Sequence, residues 1–296
     1  YSSAASDVYK RQYEACVFTF GIVQAGGAGK LLSEIIVEGE SETDSWAVDP
    51  RRYADHVDEK YTLAKAIETY SHEYAMHFPQ IQWPAGRPAK KSPLYEHLIS
   101  EGAVMGSYGG WERADWFTEN ESLKKPATSY DRQHWFDDVA KECENVSKNC
   151  GLIDLTGFSR FEISGDGASQ WLETMITGNL PKIGKVGLIY FSSPQGKVLT
   201  EMTATRISEN NIWLLTGAGA YWHDRDWLYF NLPKNTDINI EDTTHNLGTI
   251  LLTGPKSDLL LSNLTQEKLD KINFPWLTHK EASLCCLLYT SDAADE

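Results

Sequence analysis

The stretch that decides the fold is residues 186–216, VGLIYFSSPQGKVLTEMTATRISENNIWLLT. It contains three apolar runs, at 186–192, 198–207 and 212–216, with short polar segments between them. Side chains alternate in character along the middle run, as they do in a strand that turns one face toward a core. The stretch therefore predicts three consecutive strands of one sheet.

The flanking sequence on both sides extends this pattern. Further strands are predicted at 151–154, 160–164, 238–241 and 249–253, and helices at 136–150, 168–176, 221–230 and 256–264. Strands and helices do not alternate one for one, so an α+β arrangement fits better than a doubly wound parallel sheet.

The sequence before residue 132 lacks this series of short, regularly spaced apolar segments. Residues 16–23 (CVFTFGIV) are apolar and β-branched and predict a buried strand, and residues 25–29 (AGGAG) predict a glycine turn. Residues 30–37 predict a helix that ends at Gly39. The free N–H groups and positive helix end at such a turn suit a phosphate or the electron-rich edge of a reduced flavin. A purely structural turn is the alternative.

Between this segment and residue 132 the sequence predicts mostly loops. A helix is expected within 52–76, a loop at 78–92, a short helix that carries Leu94, Leu98 and Ile99, an aromatic-rich turn at 109–117 and a polar linker at 119–131.

Composition excludes several classes of function. Lys and Arg number 27 against 42 Asp and Glu, a formal net charge of -15, which disfavours binding to a phosphate backbone. No run of 18 apolar residues is present, so we expect no transmembrane helix. The five cysteines lack CxxC spacing and indicate neither a disulfide framework nor a zinc site, so a reducing compartment such as the cytoplasm is expected.

One histidine pair could be mistaken for a metal site. His72 and His77 are the first and last residues of the sequence HEYAMH, but a zincin site needs two histidines four residues apart on one helix face. The gap of five separates the two side chains around a helix. We therefore predict no metal ion.

Glu201 is the carboxylate that the pattern singles out. In the run VLTEMTATRI one face carries Val198, Thr200, Met202 and Ala204, and the other carries Leu199, Glu201, Thr203 and Thr205. Glu201 therefore belongs to a mildly polar face. If that face is buried, the carboxylate needs a cationic or hydrogen-bonding partner. The alternative is a carboxylate that faces solvent.

Several segments together resemble a known family. They are FGIVQAGGAG (20–29), VDPRRY (48–53), AGRP (85–88), SPLY (92–95), GGWERADWF (109–117) and WF (135–136). With these, the chain resembles the dimethylglycine dehydrogenase and sarcosine dehydrogenase family. From about residue 151 it resembles the folate-binding domain of aminomethyltransferases, on the segments DLT (154–156), FEISG (161–165), SPQGKVL (193–199) and GTILLTGP (248–255).

The resemblance implies a flavoprotein that oxidises the N-methyl group of a small methylated amine and passes the one-carbon unit to tetrahydrofolate. It implies FAD contacts from Phe20, Gly21, Ile22, Val23, Gln24, Ala25, Gly26 and Gly27, and folate contacts from Glu201, Met202 and Thr203. Glu201 is the implied catalytic carboxylate. Aminomethyltransferases usually carry two adjacent aspartates there, and this chain has Thr200 and Glu201 instead. Electrons would leave to an electron-transferring flavoprotein or to oxygen, in the mitochondrial matrix if the source is eukaryotic.

The resemblance also implies a domain organisation. Residues 1–12 and 286–296 resemble translated sequencing-adapter sequence and are excluded from the fold prediction. Residues 13–60 would form the carboxyl-terminal part of an FAD-binding oxidoreductase domain, 61–135 the central region of that oxidoreductase, and 136–285 a truncated folate-binding domain. We expect an internal fragment that is inactive alone. Two alternatives are a folate-binding module without oxidase activity and a non-catalytic structural or regulatory protein that reuses the fold.

Overall fold

The computed structural model describes residues 13–15, 21–39, 41–53, 55–79, 81–125 and 128–285. They belong to two compact units, Tyr1–Asp58 and Glu59–Glu296.

The described part of the first unit is dominated by one helix. Helix α1 spans Gly21–Glu38, and 3-10 turns follow at Trp46–Val48 and Pro50–Arg52. The helix ends as predicted at Gly39, which has a φ of +87° and donates its N–H to the Ile35 carbonyl at 3.1 Å.

The predicted strand and glycine turn before this helix are wrong where the structure describes them. Residues 21–29 are all helical, and residues 16–20 lie outside the described part of the chain. A glycine inside a helix costs only about 1 kcal/mol relative to alanine. The alanines among the glycines and the leucine stripe after them favour the helix, so the glycines do not end it.

The second unit begins with a helix, a long loop and a hairpin. Helix α2 spans Glu59–Ser71, and the short helix α3 spans Tyr95–Ser100. Strand β1 (Ala103–Tyr108) pairs antiparallel with β2 (Trp111–Phe117). The prediction of an aromatic turn over 109–117 is therefore wrong beyond the first two residues. Only Gly109 and Gly110 turn, with φ of +59° and +84°, as a tight hairpin requires.

Eight further strands follow in the second unit. They are β3 Gly151–Asp154, β4 Ser159–Ser164, β5 Ile176–Thr177, β6 Val186–Ser192, β7 Val198–Ser208, β8 Asn211–Thr216, β9 Asn239–Asp242 and β10 Ile250–Thr253. Six of them form an antiparallel sheet in the order β5-β6-β7-β8-β4-β9, and β10 pairs separately with β3. The helices are α4 Phe136–Lys148, α5 Ala168–Met175, α6 Tyr221–Phe230 and α7 Ser257–Leu264. Every strand and helix predicted between residues 136 and 264 is confirmed, and within that described range the two-residue β5 and a 3-10 turn at Ala218–Ala220 were not predicted.

The hydrophobic core lies on one face of this sheet. Its buried strand residues are Phe161, Ile163, Ile189, Phe191, Met202, Ala204, Ile212, Leu214 and Ile240. Ala168, Leu172 and Leu228 cover them from α5 and α6. The predicted alternation along β7 is confirmed, because Met202 and Ala204 are buried while Glu201 is exposed.

Candidate functional site

The face of the sheet opposite the core is largely open and carries the predicted carboxylate. Antiparallel pairing places Glu201 beside Tyr190 of β6, and Thr203 between Leu188 of β6 and Leu215 of β8. Leu188 is 52% and Tyr190 39% exposed. Directly opposed residues share a sheet face, so these side chains line one surface around Glu201.

Glu201 faces solvent, which was the alternative to a buried position. Among the described residues, none forms a hydrogen bond or an ion pair with its carboxylate. A carboxylate next to apolar and aromatic surface can accept N–H groups of a ligand, or stabilise a cation that forms nearby. Its pairing capacity is available to a ligand.

The two residues after Glu201 do not share its position. Met202 is 1% exposed and its side chain belongs to the core, so only its backbone can reach a ligand on the open face. Thr203 is half-buried and shares the face of Glu201. The structure therefore brings Glu201 and Thr203 together and separates the Met202 side chain from them.

Sequence reasoning missed the neighbouring strands' contribution to this face. Trp213, 39% exposed, lies opposite Thr205 and Glu162, and Glu162 lies opposite Glu241. Asn211 donates from Nδ2 to Glu162 Oε1 at 2.5 Å. The face thus carries three carboxylates and an indole. Only strand register could have revealed this, since each residue is ordinary within its own strand.

A returning segment covers one margin of the open face. The Val186 N–H donates to the Leu277 carbonyl at 3.0 Å, and the His279 N–H donates to the Gly184 carbonyl at 2.9 Å. The His279 ring meets the Trp213 ring edge-on at 6.1 Å between centroids. The remaining surface around Glu201 stays open.

The predicted flavin-contacting segment lies in the first unit. Phe20 is outside the described residues, and residues 21–27 form the first two turns of α1. Residues 16–20 lie outside the described part of the chain, so free N–H groups and a positive helix end at this segment stay a prediction. Gly26 and Gly27 are exposed, and a Cβ added to either would meet no atom within 4 Å. Neither glycine forms a cradle.

Two segments that carried the family resemblance meet in the second unit. Ser92, of SPLY, donates its hydroxyl to Asp154 Oδ2, and Asp154 Oδ1 accepts the Thr156 N–H at 2.9 Å. Nearby, the buried Arg160 donates to the Thr249 hydroxyl at 2.6 Å. Burial lowers the pKa of its guanidinium, and Asp242 opposes this shift. The Ser92–Asp154 bond joins the loop before α3 to the sheet domain, and the other two bonds lie within that domain.

The histidines of HEYAMH pack against one tryptophan. The His72 and His77 rings lie 5.0 and 5.8 Å from the Trp83 ring between centroids. His72 Nδ1 is also 2.8 Å from the Glu68 carbonyl. Within the described residues, no group of three or more His, Cys, Asp or Glu side chains is placed to hold a metal ion.

No helix in the described part of the chain is both long and apolar enough to cross a membrane.

A sheet with one buried face, and an open face on which Glu201 lies beside aromatic and apolar side chains, is typical of an α+β domain. Comparison with known families makes this specific: the model of the GCVT N-terminal domain matches residues 94–289, and that of the FAD dependent oxidoreductase central domain matches residues 38–92. The chain belongs to the GCVT N-terminal domain family, preceded by an FAD oxidoreductase central domain. The expected fold class and family resemblance are confirmed.

Three curated relatives are similar to this chain over most of its length. Mitochondrial dimethylglycine dehydrogenase of Mus musculus is 32% identical over 93% of this chain and 32% of the relative. The 4-methylaminobutanoate oxidase (formaldehyde-forming) of Paenarthrobacter nicotinovorans is 30% identical over 83% of this chain and 30% of the relative. Mitochondrial sarcosine dehydrogenase of Mus musculus is 24% identical over 88% of this chain and 33% of the relative. The chain therefore spans about a third of the length of the curated relatives it matches.

Proposed function

We propose that this chain belongs to an FAD-dependent dehydrogenase that removes an N-methyl group from dimethylglycine or sarcosine and passes the one-carbon unit to tetrahydrofolate. The observation that carries the proposal is the order of the two family matches in one chain, an oxidoreductase domain followed by a GCVT domain whose open face presents Glu201. The relatives at 32% and 24% identity are named for these two substrates. When bound, FAD takes up the electrons of the oxidation and the folate takes up the carbon.

The chain's own residues supply orientation and charge. The Glu201 carboxylate accepts N–H groups of the folate and stabilises positive charge on the incoming one-carbon unit. The Thr203 hydroxyl, on the same face, adds a polar contact. Leu188 and Tyr190 supply apolar surface that removes water when a flat ring lies on the sheet. Met202 contributes through its backbone.

In the first unit, Gly21, Ile22, Val23 and Gln24 of the predicted FAD segment would lie against the flavin, and the positive end of the helix dipole would favour negative charge on its electron-rich edge. Gly26 and Gly27 form no cradle for it. The acceptor of the electrons is an electron-transferring flavoprotein or oxygen. The protein would act in the mitochondrial matrix of a eukaryote or the cytoplasm of a bacterium, without nucleic-acid or membrane partners.

The test is Glu201→Gln in the full-length enzyme that contains this chain. We expect methylenetetrahydrofolate formation to slow while the rate of flavin reduction by dimethylglycine stays unchanged. Glu241→Gln is the matched control, because Glu241 is an exposed carboxylate on the same face but on the edge strand β9. Equal folate coupling in Glu201→Gln and the parent would remove Glu201 from the mechanism.

The second candidate is a folate-binding module without oxidase activity. It is supported by the GCVT model match to residues 94–289, a range that includes Glu201. Anaerobic mixing of the full-length protein with dimethylglycine or sarcosine separates the two. Bleaching of the flavin spectrum supports the dehydrogenase, and folate binding without bleaching supports the module.

A further inference from the structure

A cleft of about 330 Å³ lies in the second unit, apart from the open face of the sheet. It is formed by the loop before α3, by α3 and by the β1–β2 hairpin. Its lining includes Pro84, Arg87, Tyr95, Ile99, Met105 and Glu112. The volume falls at the lower end of the range of small-molecule sites. The walls are mainly apolar, with a few polar groups among them.

The charged group in this cleft is an arginine held by a buried glutamate. Arg87 donates from Nε to Glu112 Oε1 at 2.8 Å and from Nη2 to Glu112 Oε2 at 2.6 Å. Nη2 also donates to the Met105 carbonyl at 2.8 Å. The Glu112 side chain is 2% exposed. Both carboxylate oxygens are therefore already engaged, and the guanidinium is fixed in one orientation.

Two donors of the cleft remain without protein acceptors. Among the described residues, none accepts a hydrogen bond from Arg87 Nη1 or from the Tyr95 hydroxyl. The hydrogen bonds and the negative charge of Glu112 raise the pKa of the Arg87 guanidinium, although burial opposes this shift. Tyr95 and Arg87 line the same cleft. The second cationic residue of the lining, Lys124, is paired with Glu121 at 2.6 Å.

The balance of donors and acceptors defines the ligand. The cleft offers N–H and O–H donors, whereas the carboxylate of Glu112 and the carbonyl of Met105 are both occupied by Arg87. An ammonium group placed here would lie beside the cationic guanidinium and would share acceptors that already receive hydrogen bonds from Arg87, so its desolvation would be poorly compensated. An anion with an apolar body would find hydrogen-bond donors for its charged group and apolar walls for its body.

We propose that this cleft is a binding site for a small monocarboxylate with an uncharged aliphatic body. The carboxylate accepts from Arg87 Nη1 and the Tyr95 hydroxyl, and the aliphatic part packs against Pro84 and Ile99. The site is distinct from the Glu201 face and needs neither flavin nor folate. Its test is therefore independent of the proposed enzymatic function.

The probe is isovalerate, measured by titration calorimetry against the full chain. Dimethylglycine is the matched competitor, because it has the same shape with a cationic nitrogen in place of the branched carbon. We expect isovalerate to bind at least tenfold more tightly than dimethylglycine. Tyr95→Phe should weaken isovalerate about tenfold, the loss expected for one hydrogen bond to a charged group.

The control variant is Tyr108→Phe. Tyr108 lies in β1 of the hairpin that lines the cleft, and its hydroxyl donates to Asp115 at 2.7 Å. This variant should leave isovalerate binding unchanged. A second variant, Arg87→Met with Glu112→Leu, removes both charges together, so that no buried ion is left unpaired, and should abolish binding. The proposal is overturned if isovalerate fails to bind the parent chain, if dimethylglycine binds as tightly, or if Tyr95→Phe behaves like Tyr108→Phe.

Discussion

Replacing Met202 by alanine tests whether β7 is anchored by its inward face. The side chain is 1% exposed within the core cluster. The change removes three methylene-sized groups, which corresponds to about 2.4 kcal/mol at ~0.8 kcal/mol each. The cavity left behind adds a further term, and buried Met→Ala changes cost about 2–5 kcal/mol in total. We expect a loss of about 3 kcal/mol, or roughly 6–12 °C in Tm for a domain of this size.

The assay is urea unfolding followed by far-ultraviolet circular dichroism, with the free energy of unfolding obtained by linear extrapolation. The matched control is Glu201→Ala, one residue away on the opposite face, which should change stability by no more than about 0.5 kcal/mol. A loss of similar size in both variants would refute the assignment of the two faces. The same result would remove the geometric basis for treating Glu201 as a ligand-facing group.

Two further predictions concern the backbone and pH. Gly165→Ala should lower the free energy of unfolding by at least about 2 kcal/mol, because φ is +108° and the new Cβ would lie 2.1 Å from the Asp237 carbonyl oxygen. Gly178→Ala is the control: its φ is +98° but no atom lies within 4 Å, so it should lower the free energy of unfolding by less in the same assay. Burial raises the pKa of Glu68, but hydrogen bonds from Lys65 and the Ala85 N–H outweigh it and leave the pKa below 4.5. Glu68 therefore stabilises the fold above pH 4.5 and loses that effect as pH falls through its lowered pKa. Tm measured from pH 7 to about 3 should fall less steeply in Glu68→Gln, and parallel curves would contradict this.

The sheet domain could be predicted from the sequence because its signals are local. Period-two alternation and short polar turns mark each strand, and the alternation along β7 separates Met202 from Glu201 without any knowledge of neighbours. It does not reveal which face is covered, so the exposure of Glu201 stayed open. Trp213 and Glu162 joined the site only through strand register, which is a long-range property.

The elements that were mispredicted are those in which local signals conflict. Residues 21–29 combine β-branched side chains with glycines, a pattern typical of a strand and turn, yet alanines and the following leucines favour a helix. In the hairpin, the tryptophans and charges of β2 do not alternate cleanly. The register shift between Val104 and Met105 changes which side chains are buried.

The open face and the core depend on each other through the register of β6 and β7. A slip of one residue would exchange the two faces, turning Met202 to solvent and Glu201 into the core. Along these two described strands, register shifts occur only near the ends, between Phe191 and Ser192 and between Arg206 and Ser208. Between those points the pairing is regular. The packing of the inward side chains therefore fixes the position of the carboxylate, although none of them needs to touch a ligand.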